Sequence, residues 1–280
     1  SDALVNYLTV CGYPDKKYVE WWPASVHVIG MDINRFHSLL WPAMLMSAKV
    51  ELPHQILVHG FVNDEKGEKM SKSTGNVVDP VELISAYGME AIRYYLLKET
   101  PLGNDLSFSE ARLIETTNAD LADGLGNWVY RVLSMLEKYC NGVVPPVALD
   151  NAFVSLAEKH SSQAYAHWLA HDIHSALGET WKIVALGNKS ISDTKPWELM
   201  KQNKREEVEK LLATQVELIN RVRILVSPIL PQTEEKIRAQ FGFDSPAFGR
   251  LNLSPNALHH KKIQKGAVLF AKRELPAVKI

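Results

Sequence analysis

Val26-His27-Val28-Ile29-Gly30 and Ile56-Leu57-Val58-His59-Gly60 are two short apolar, β-branched-rich runs, each closed by glycine, and the stretch 35–47 between them suits a helix. Strand, helix and strand at this spacing predict a βαβ unit with parallel strands, since the helix carries the chain back over the sheet. Both glycines then fall at the carboxyl ends of the strands, the edge where open α/β sheets bind ligands. Each glycine could equally do no more than end its strand. From Asp79-Pro80 onward the texture changes to helical periodicity, over 80–87, 89–98, 110–122 and 124–140. Asp79 suits an N-cap and Pro80 the first helical position. Beyond Pro145-Pro146 the spacing predicts helices over 152–169, 173–187, 196–201, 204–225 and 231–241, with one strand at 267–270. The expectation is an α/β part followed by an antiparallel helix bundle, with a boundary near residue 115.

The composition bounds the function. The chain has 280 residues, 46% hydrophobic and 22% charged, which excludes a disordered, collagen-like or coiled-coil protein. The longest apolar run, Leu39 to Ala48, is about half of what a membrane helix needs and contains Pro42, so no membrane is expected. Cys11 and Cys140 form neither a C-x-x-C motif nor a disulfide framework. The net charge of -1 argues against coating nucleic acid by bulk electrostatics. That figure hides six basic residues (Lys261, Lys262, Lys265, Lys272, Arg273, Lys279) against one acid (Glu274) from His259 onward.

The sharpest motif is Lys69-Met70-Ser71-Lys72-Ser73, followed by Thr74-Gly75-Asn76. Two lysines three apart, interleaved with hydroxyls, can surround a polyphosphate, and they lower a barrier only if their contacts strengthen as pyrophosphate departs. A solvated basic loop is the plain alternative, but this pentamer arises by chance in on the order of one in ten thousand chains of this length. Neither G-x-x-x-x-G-K-[ST] nor G-x-G-x-x-G occurs, so nothing supports a P-loop or a dinucleotide fingerprint.

Lys69-Met70-Ser71-Lys72-Ser73 resembles the second signature of class I aminoacyl-tRNA synthetases. The flanking residues resemble the methionyl-tRNA synthetases in particular: Asp2 to Leu8, Trp22-Pro23-Ala24, His27 to Ile33, Phe36 to Ala43, His59-Gly60, Gly75 to Pro80, Leu121 to Asn127, Lys195-Pro196-Trp197 and Ser227 to Pro231. The resemblance implies a methionine–tRNA ligase. Its residues 1–68 would be the second part of a Rossmann-like catalytic domain, 69–115 a lysine-loop connecting segment, and 116–280 a helical anticodon-binding domain. It implies ATP with Mg2+, L-methionine and tRNA(Met) as substrates. Lys69 and Lys72 would neutralise the departing pyrophosphate; Gly30, Asp32, His59, Val62 and Ser71 would contact ATP. Ala3, Leu4, Tyr7, Ile33 and His37 would line the methionine pocket with Trp41 behind, a chemically sensible set because a thioether offers little beyond polarizability. Asn127 and Arg131, four apart on one helix face, would read anticodon bases, with Trp197 stacking on one of them.

His167, His171 and His174 have a spacing that could hold zinc, but no fourth ligand accompanies them, and no zinc is expected in this chain. The first class I signature, a His-Ile-Gly-His-like run, is absent, and Met31 stands where the family usually has Lys. A chain that starts mid-domain is therefore expected, completed by an upstream half of the same enzyme and inactive by itself in methionine-dependent ATP–pyrophosphate exchange. A monomer in the cytoplasm, or alternatively the mitochondrial matrix, is expected. The competing readings are a non-enzymatic tRNA-binding or assembly module and a class I synthetase of another aliphatic specificity.

Overall fold

Two parallel strands form where the glycine-ended runs lie. The computed structural model describes residues 2–71, 73–245, 248 and 258–274. In it, β1 (His27–Gly30) pairs parallel with β2 (Ile56–His59), in a register that sets His27 opposite Ile56 and Gly30 opposite His59. The chain before them forms α1 (Asp2–Val10). The connection between the strands is helical over the expected 35–47, though not of one pitch. A 3-10 turn, Met31–Ile33, leads into a π-helical turn, Phe36–Leu40, and only then into α2 (Trp41–Ser47). Pro42 accounts for the change of pitch, because a residue without an N–H fits the first turn of a helix and not its interior.

The chain packs as two compact units, and they do not divide at residue 115. One gathers the residues up to Val77 together with Leu102–Phe108; the other gathers Val78–Pro101 and the residues from Ser109 on. In the first, Leu4 and Leu8 of α1 share a buried core with Trp22, Trp41, Leu45 and Val50. A second parallel pair joins β3 (Val62–Asn63) to β4 (Leu106–Ser107), with Phe61 N–H donating to Asp105 Oδ1 at 2.8 Å beside it. Gly60 permits this: a Cβ there would run into the backbone of Asn104 and Asp105.

The second unit is helical. Asp79 Oδ1 accepts the Val81 N–H at 2.7 Å and so caps α3 (Pro80–Tyr87); Gly88, at φ +87°, turns the chain into α4 (Met89–Glu99). After α5 (Glu110–Thr116) comes a ten-residue π-helix, Thr117–Gly126, and then α6 (Asn127–Cys140). The periodicity predicts two ordinary helices there. Glycine explains the difference, because a Cβ on Gly126 would lie 2.9 Å from the carbonyl oxygen of Leu121, five residues back in the wide turn. There follow α7 (Asn151–Leu169), α8 (Ile173–Thr194), α9 (Pro196–Lys201), α10 (Arg205–Val226) and α11 (Pro231–Phe241).

Nearly every residue of α10 from Leu211 on is buried, with α6, α7, α8, α9 and α11 packed around it. Its buried charges are paired: Glu217 with Arg221 at 2.8 Å, and Arg223 with Glu234 at 2.5 Å. Helix α8 continues past Gly187, where it was expected to stop. Gly187 lies where a Cβ would overlap the Trp128 indole, so this glycine serves close packing of α8 on α6 and does not end a helix. The expected strand at 267–270 does not form. Leu269 and Phe270 pack into the bundle core, and the Ala267 carbonyl is met by the Gln240 side-chain amide at 3.3 Å, so no strand partner is required. The bridge near this segment is instead Val143 with Lys262. Among the described residues no helix is long and apolar enough to cross a membrane.

Candidate active site

The parallel register brings three expected nucleotide contacts together at one strand edge. Gly30 and His59 are register partners, and Asp32 follows on the 3-10 turn. A Cβ on Gly30 would stand 2.9 Å from Asp32 Oδ1 and 3.7 Å from His59 Cε1, so a bare backbone at this position keeps the edge open. His59 Nδ1 lies 2.9 Å from the Gly60 carbonyl oxygen, which can only accept. In the neutral ring the proton is therefore on Nδ1, and Nε2 is left as an acceptor toward solvent. Val62, half-exposed, opens β3 two residues beyond Gly60.

A cluster of rings lies in the same unit. Tyr7 Oη is 2.8 Å from His37 Nε2, and His37 Nδ1 is 3.0 Å from the Ile33 carbonyl oxygen. The Tyr7 ring centroid lies 4.6 Å from His27, 5.7 Å from His37 and 6.0 Å from Trp41, and Trp22 stands 6.0 Å from both His27 and Trp41. His37 and Trp41 are buried, whereas Tyr7, Ile33 and Ala3 are exposed. Leu4 is 6% exposed and belongs to the buried core that also holds Trp22 and Trp41. Burial, and then the neighbouring His37, hold the His27 imidazole below its ordinary pKa. His27 and Trp22 are members of this cluster that sequence reasoning did not single out as site residues. Both lie in stretches that carry the family resemblance, which assigned them no role in the site.

The lysine motif follows a β-hairpin. Asn63 and Lys69 form an antiparallel bridge, with Gly67 at φ +78° in the turn. Lys69 is exposed and Ser71 half-buried; Lys72 lies outside the described residues. Ser71 Oγ is 3.0 Å from Ser73 Oγ and 2.8 Å from Thr74 Oγ1, a chain of hydroxyls on the arc that follows Met70. Asp64, which the motif reading passed over, and Asn76, which it quoted without giving it a role, bind one another across the base of this arc at 2.9 Å.

In the helical unit, Asn127, Tyr130, Arg131 and Ser134 lie along one polar face of α6, while Trp128, Val129, Val132, Leu133 and Leu136 face the core. Trp197 is 40% exposed on α9, directly after Pro196 and the left-handed Lys195. The three histidines do not share a helix: α7 ends at Leu169, His171 is left-handed at φ +61°, and His174 opens α8. His167 pairs with Asp172 at 3.2 Å and His174 Nδ1 meets the Lys98 carbonyl oxygen at 2.8 Å.

Comparison with known proteins points the same way. Residues 1–133 match the family model for tRNA synthetases class I (M). A methionine–tRNA ligase of Brucella suis is 43% identical over 242 residues, 84% of this chain and 47% of that protein. The methionine–tRNA ligase of Caldanaerobacter subterraneus is 39% identical over 96% of this chain and 43% of its own length. The chain thus spans a little under half the length of the curated relatives it matches. Among solved structures, Mycobacterium tuberculosis methionyl-tRNA synthetase in complex with methionyl-adenylate superposes with a TM-score of 0.89 at 36% identity, covering 96% of this chain and 55% of that one.

Proposed function

We propose that this chain, whose residues 1–133 match the class I (M) tRNA synthetase family, is part of a methionine–tRNA ligase that activates L-methionine with ATP and transfers it to tRNA(Met). The observation that carries the reading is the pairing of Gly30 with His59 beside Asp32, in the same compact unit as the Tyr7–His37 pair and the lysine loop. A nucleotide edge, a ring-lined pocket and a polyphosphate loop are the three parts that amino-acid activation needs.

In this reading a methionine carboxylate oxygen attacks the α-phosphorus of ATP, which enters with Mg2+, and the bond to the bridging oxygen breaks with its electron pair leaving on pyrophosphate. Gly30, Asp32, His59, Val62 and Ser71 hold the nucleotide; Lys69 and Lys72 take up the charge that develops on pyrophosphate. Ala3, Tyr7, Ile33 and His37 line the methionine pocket, with Leu4 and Trp41 supporting it from the core. Asn127, Arg131 and Trp197 read the anticodon through hydrogen bonds and stacking. The functional division proposed is a Rossmann-like part over 1–68, the lysine-loop segment over 69–115 and an anticodon-binding bundle over 116–280, completed by the upstream half of the same enzyme, acting as a monomer.

The test is methionine-dependent ATP–pyrophosphate exchange, and charging of tRNA(Met), by the full-length protein that carries this chain. Both are expected. Exchange driven by leucine or valine and not by methionine would move the assignment to another specificity. Binding of tRNA with no exchange for any amino acid would make it a binding module.

A further inference from the structure

We propose that Asp64 and Asn76 are positioning residues for amino-acid activation: their side chains form a latch that fixes both ends of the lysine loop before ATP arrives. The inference rests on the reading of residues 69–73 as the loop that receives pyrophosphate.

The latch is built from both sides. The hairpin 63–69 is closed by Asp64 N–H donating to the Glu68 carbonyl and Gly67 N–H to the Asp64 carbonyl, each at 2.9 Å. Asp64 Oδ1 accepts the backbone N–H of Lys66 at 3.0 Å and of Glu68 at 2.8 Å, which leaves Oδ2 free of the hairpin. That second oxygen accepts from Asn76 Nδ2 at 2.9 Å, across twelve residues of chain.

Asn76 then reaches into the loop with the rest of its amide. Its Oδ1 accepts the Ser71 N–H at 2.9 Å and lies 2.5 Å from Thr74 Oγ1, while Nδ2 also lies 3.3 Å from the Lys69 carbonyl oxygen. The partners fix the orientation of the amide. Ser71 N–H can only donate, and the Asp64 carboxylate and Lys69 carbonyl can only accept. One side chain therefore ties together Asp64, Lys69, Ser71 and Thr74, before and after the second lysine of the motif. Only an amide carries donors and acceptor together here, and a carboxylate at position 76 would face that of Asp64. The Asn76 amide, and after it the Glu68 backbone N–H, hold the Asp64 carboxyl below the usual carboxylate range.

The consequence is kinetic. A loop whose ends are already fixed loses less freedom when its lysines close on the leaving group, so the latch acts on the transition state more than on bound methionine. It touches neither the ring cluster nor the strand edge.

The test uses the full-length protein and four forms: wild type, Asn76→Ala, Asn76→Asp, and the exchange Asp64→Asn with Asn76→Asp. Asn76→Ala is expected to lower kcat for ATP–pyrophosphate exchange about tenfold or more while the methionine KM stays within about twofold. Asn76→Asp is expected to be at least as slow, because two ionised carboxylates then oppose each other and no donor meets the Lys69 carbonyl. In the exchanged pair, the amide now at position 64 donates to the carboxylate now at position 76 and its carbonyl oxygen accepts the same two backbone N–H groups, while the contact to the Lys69 carbonyl is lost, so kcat is expected to recover in part, to several times that of Asn76→Asp alone. A readout independent of reaction is the rate of tryptic cleavage within residues 69–73. Asn76→Ala is expected to raise it about tenfold, and the exchanged pair to restore it in part. Unchanged kcat and cleavage in Asn76→Ala, or an exchanged pair no better than Asn76→Asp alone, would overturn the latch. Wild type that lacks methionine-dependent exchange would overturn the functional reading instead, and cleavage would still decide whether the latch exists.

Discussion

The Tyr7 hydroxyl donates to His37 Nε2 at 2.8 Å, because the other nitrogen of that ring is committed as donor to the Ile33 carbonyl oxygen 3.0 Å away. The tautomer is thereby set by the backbone of the turn that follows β1. The pair leaves the phenol oxygen able to accept on its open side and holds the ring at the mouth of the cluster. Tyr7→Phe removes the donor and leaves a buried imidazole nitrogen unpaired, which costs about 1–3 kcal/mol. The expected outcome is a methionine KM raised about tenfold or more with the ATP KM within about twofold. Exchange kinetics with each substrate varied in turn checks this; an equal rise in both constants would show that Tyr7 acts on the fold and not on the pocket.

His27 gives the same cluster a pH dependence. Its folded-state pKa lies below the ordinary value, chiefly through burial, and His37 lowers it further. The unfolded chain therefore takes up the proton first as pH falls through about 6.5. Stability from this group is complete above that pH and is lost on acidification, until the folded form protonates as well. Urea unfolding followed through tryptophan fluorescence, at pH 5 and pH 7.5, should show a slope that His27→Gln reduces. A slope unchanged by that substitution would assign the effect elsewhere.

Gly60 tests the close approach beneath the nucleotide edge. Gly60→Ala forces a Cβ against the backbone of Asn104 and Asp105, atoms that cannot swing away as a side-chain end can. The cost expected is about 1–3 kcal/mol, read as a melting temperature lower by several degrees and a weaker ATP interaction. Gly75→Ala is the instructive contrast: nothing lies within 4 Å of a Cβ there, so its penalty comes only from a left-handed backbone at φ +70°.

What could be read from sequence followed period and motif. The two strand runs, the Asp79-Pro80 helix start and the lysine pentamer all have local signals, and the strands and the helix start read correctly without tertiary information. The π-helix over Thr117–Gly126 and the continuation of α8 through Gly187 do not, because both depend on what a missing Cβ allows a neighbour to do. The expected strand at 267–270 had β-like composition and no partner to pair with. β3 and β4 are two residues each, too short for any alternation to show. The Asp64–Asn76 pair was hidden for a different reason: both residues are ordinary turn formers, and only the fold sets them against each other.

The base-reading proposal depends on a buried polar relay. Trp128 Nε1 donates to Gln215 Oε1 at 2.6 Å, and Gln215 Nε2 donates to Ser190 Oγ at 2.7 Å, joining α6, α10 and α8 in the core. Trp128 adjoins Asn127, and α8 runs through Lys195 into the α9 turn that carries Trp197. Gln215→Leu strands the indole N–H and leaves the Ser190 hydroxyl with only its bond to the Gly187 carbonyl, so it should destabilise the bundle by about 1–3 kcal/mol and impair tRNA charging as a result. Trp197 is 40% exposed, so Trp197→Ala should leave the melting temperature nearly unchanged. It should nevertheless lower kcat/KM for tRNA about tenfold or more, since stacking is worth about 1–3 kcal/mol per base. Methionine-dependent exchange should be untouched in Trp197→Ala. Calorimetry beside the two assays separates the cases: a fall in melting temperature with Trp197→Ala as large as with Gln215→Leu would make Trp197 a hydrophobic plug behind Pro196, not a platform for a base.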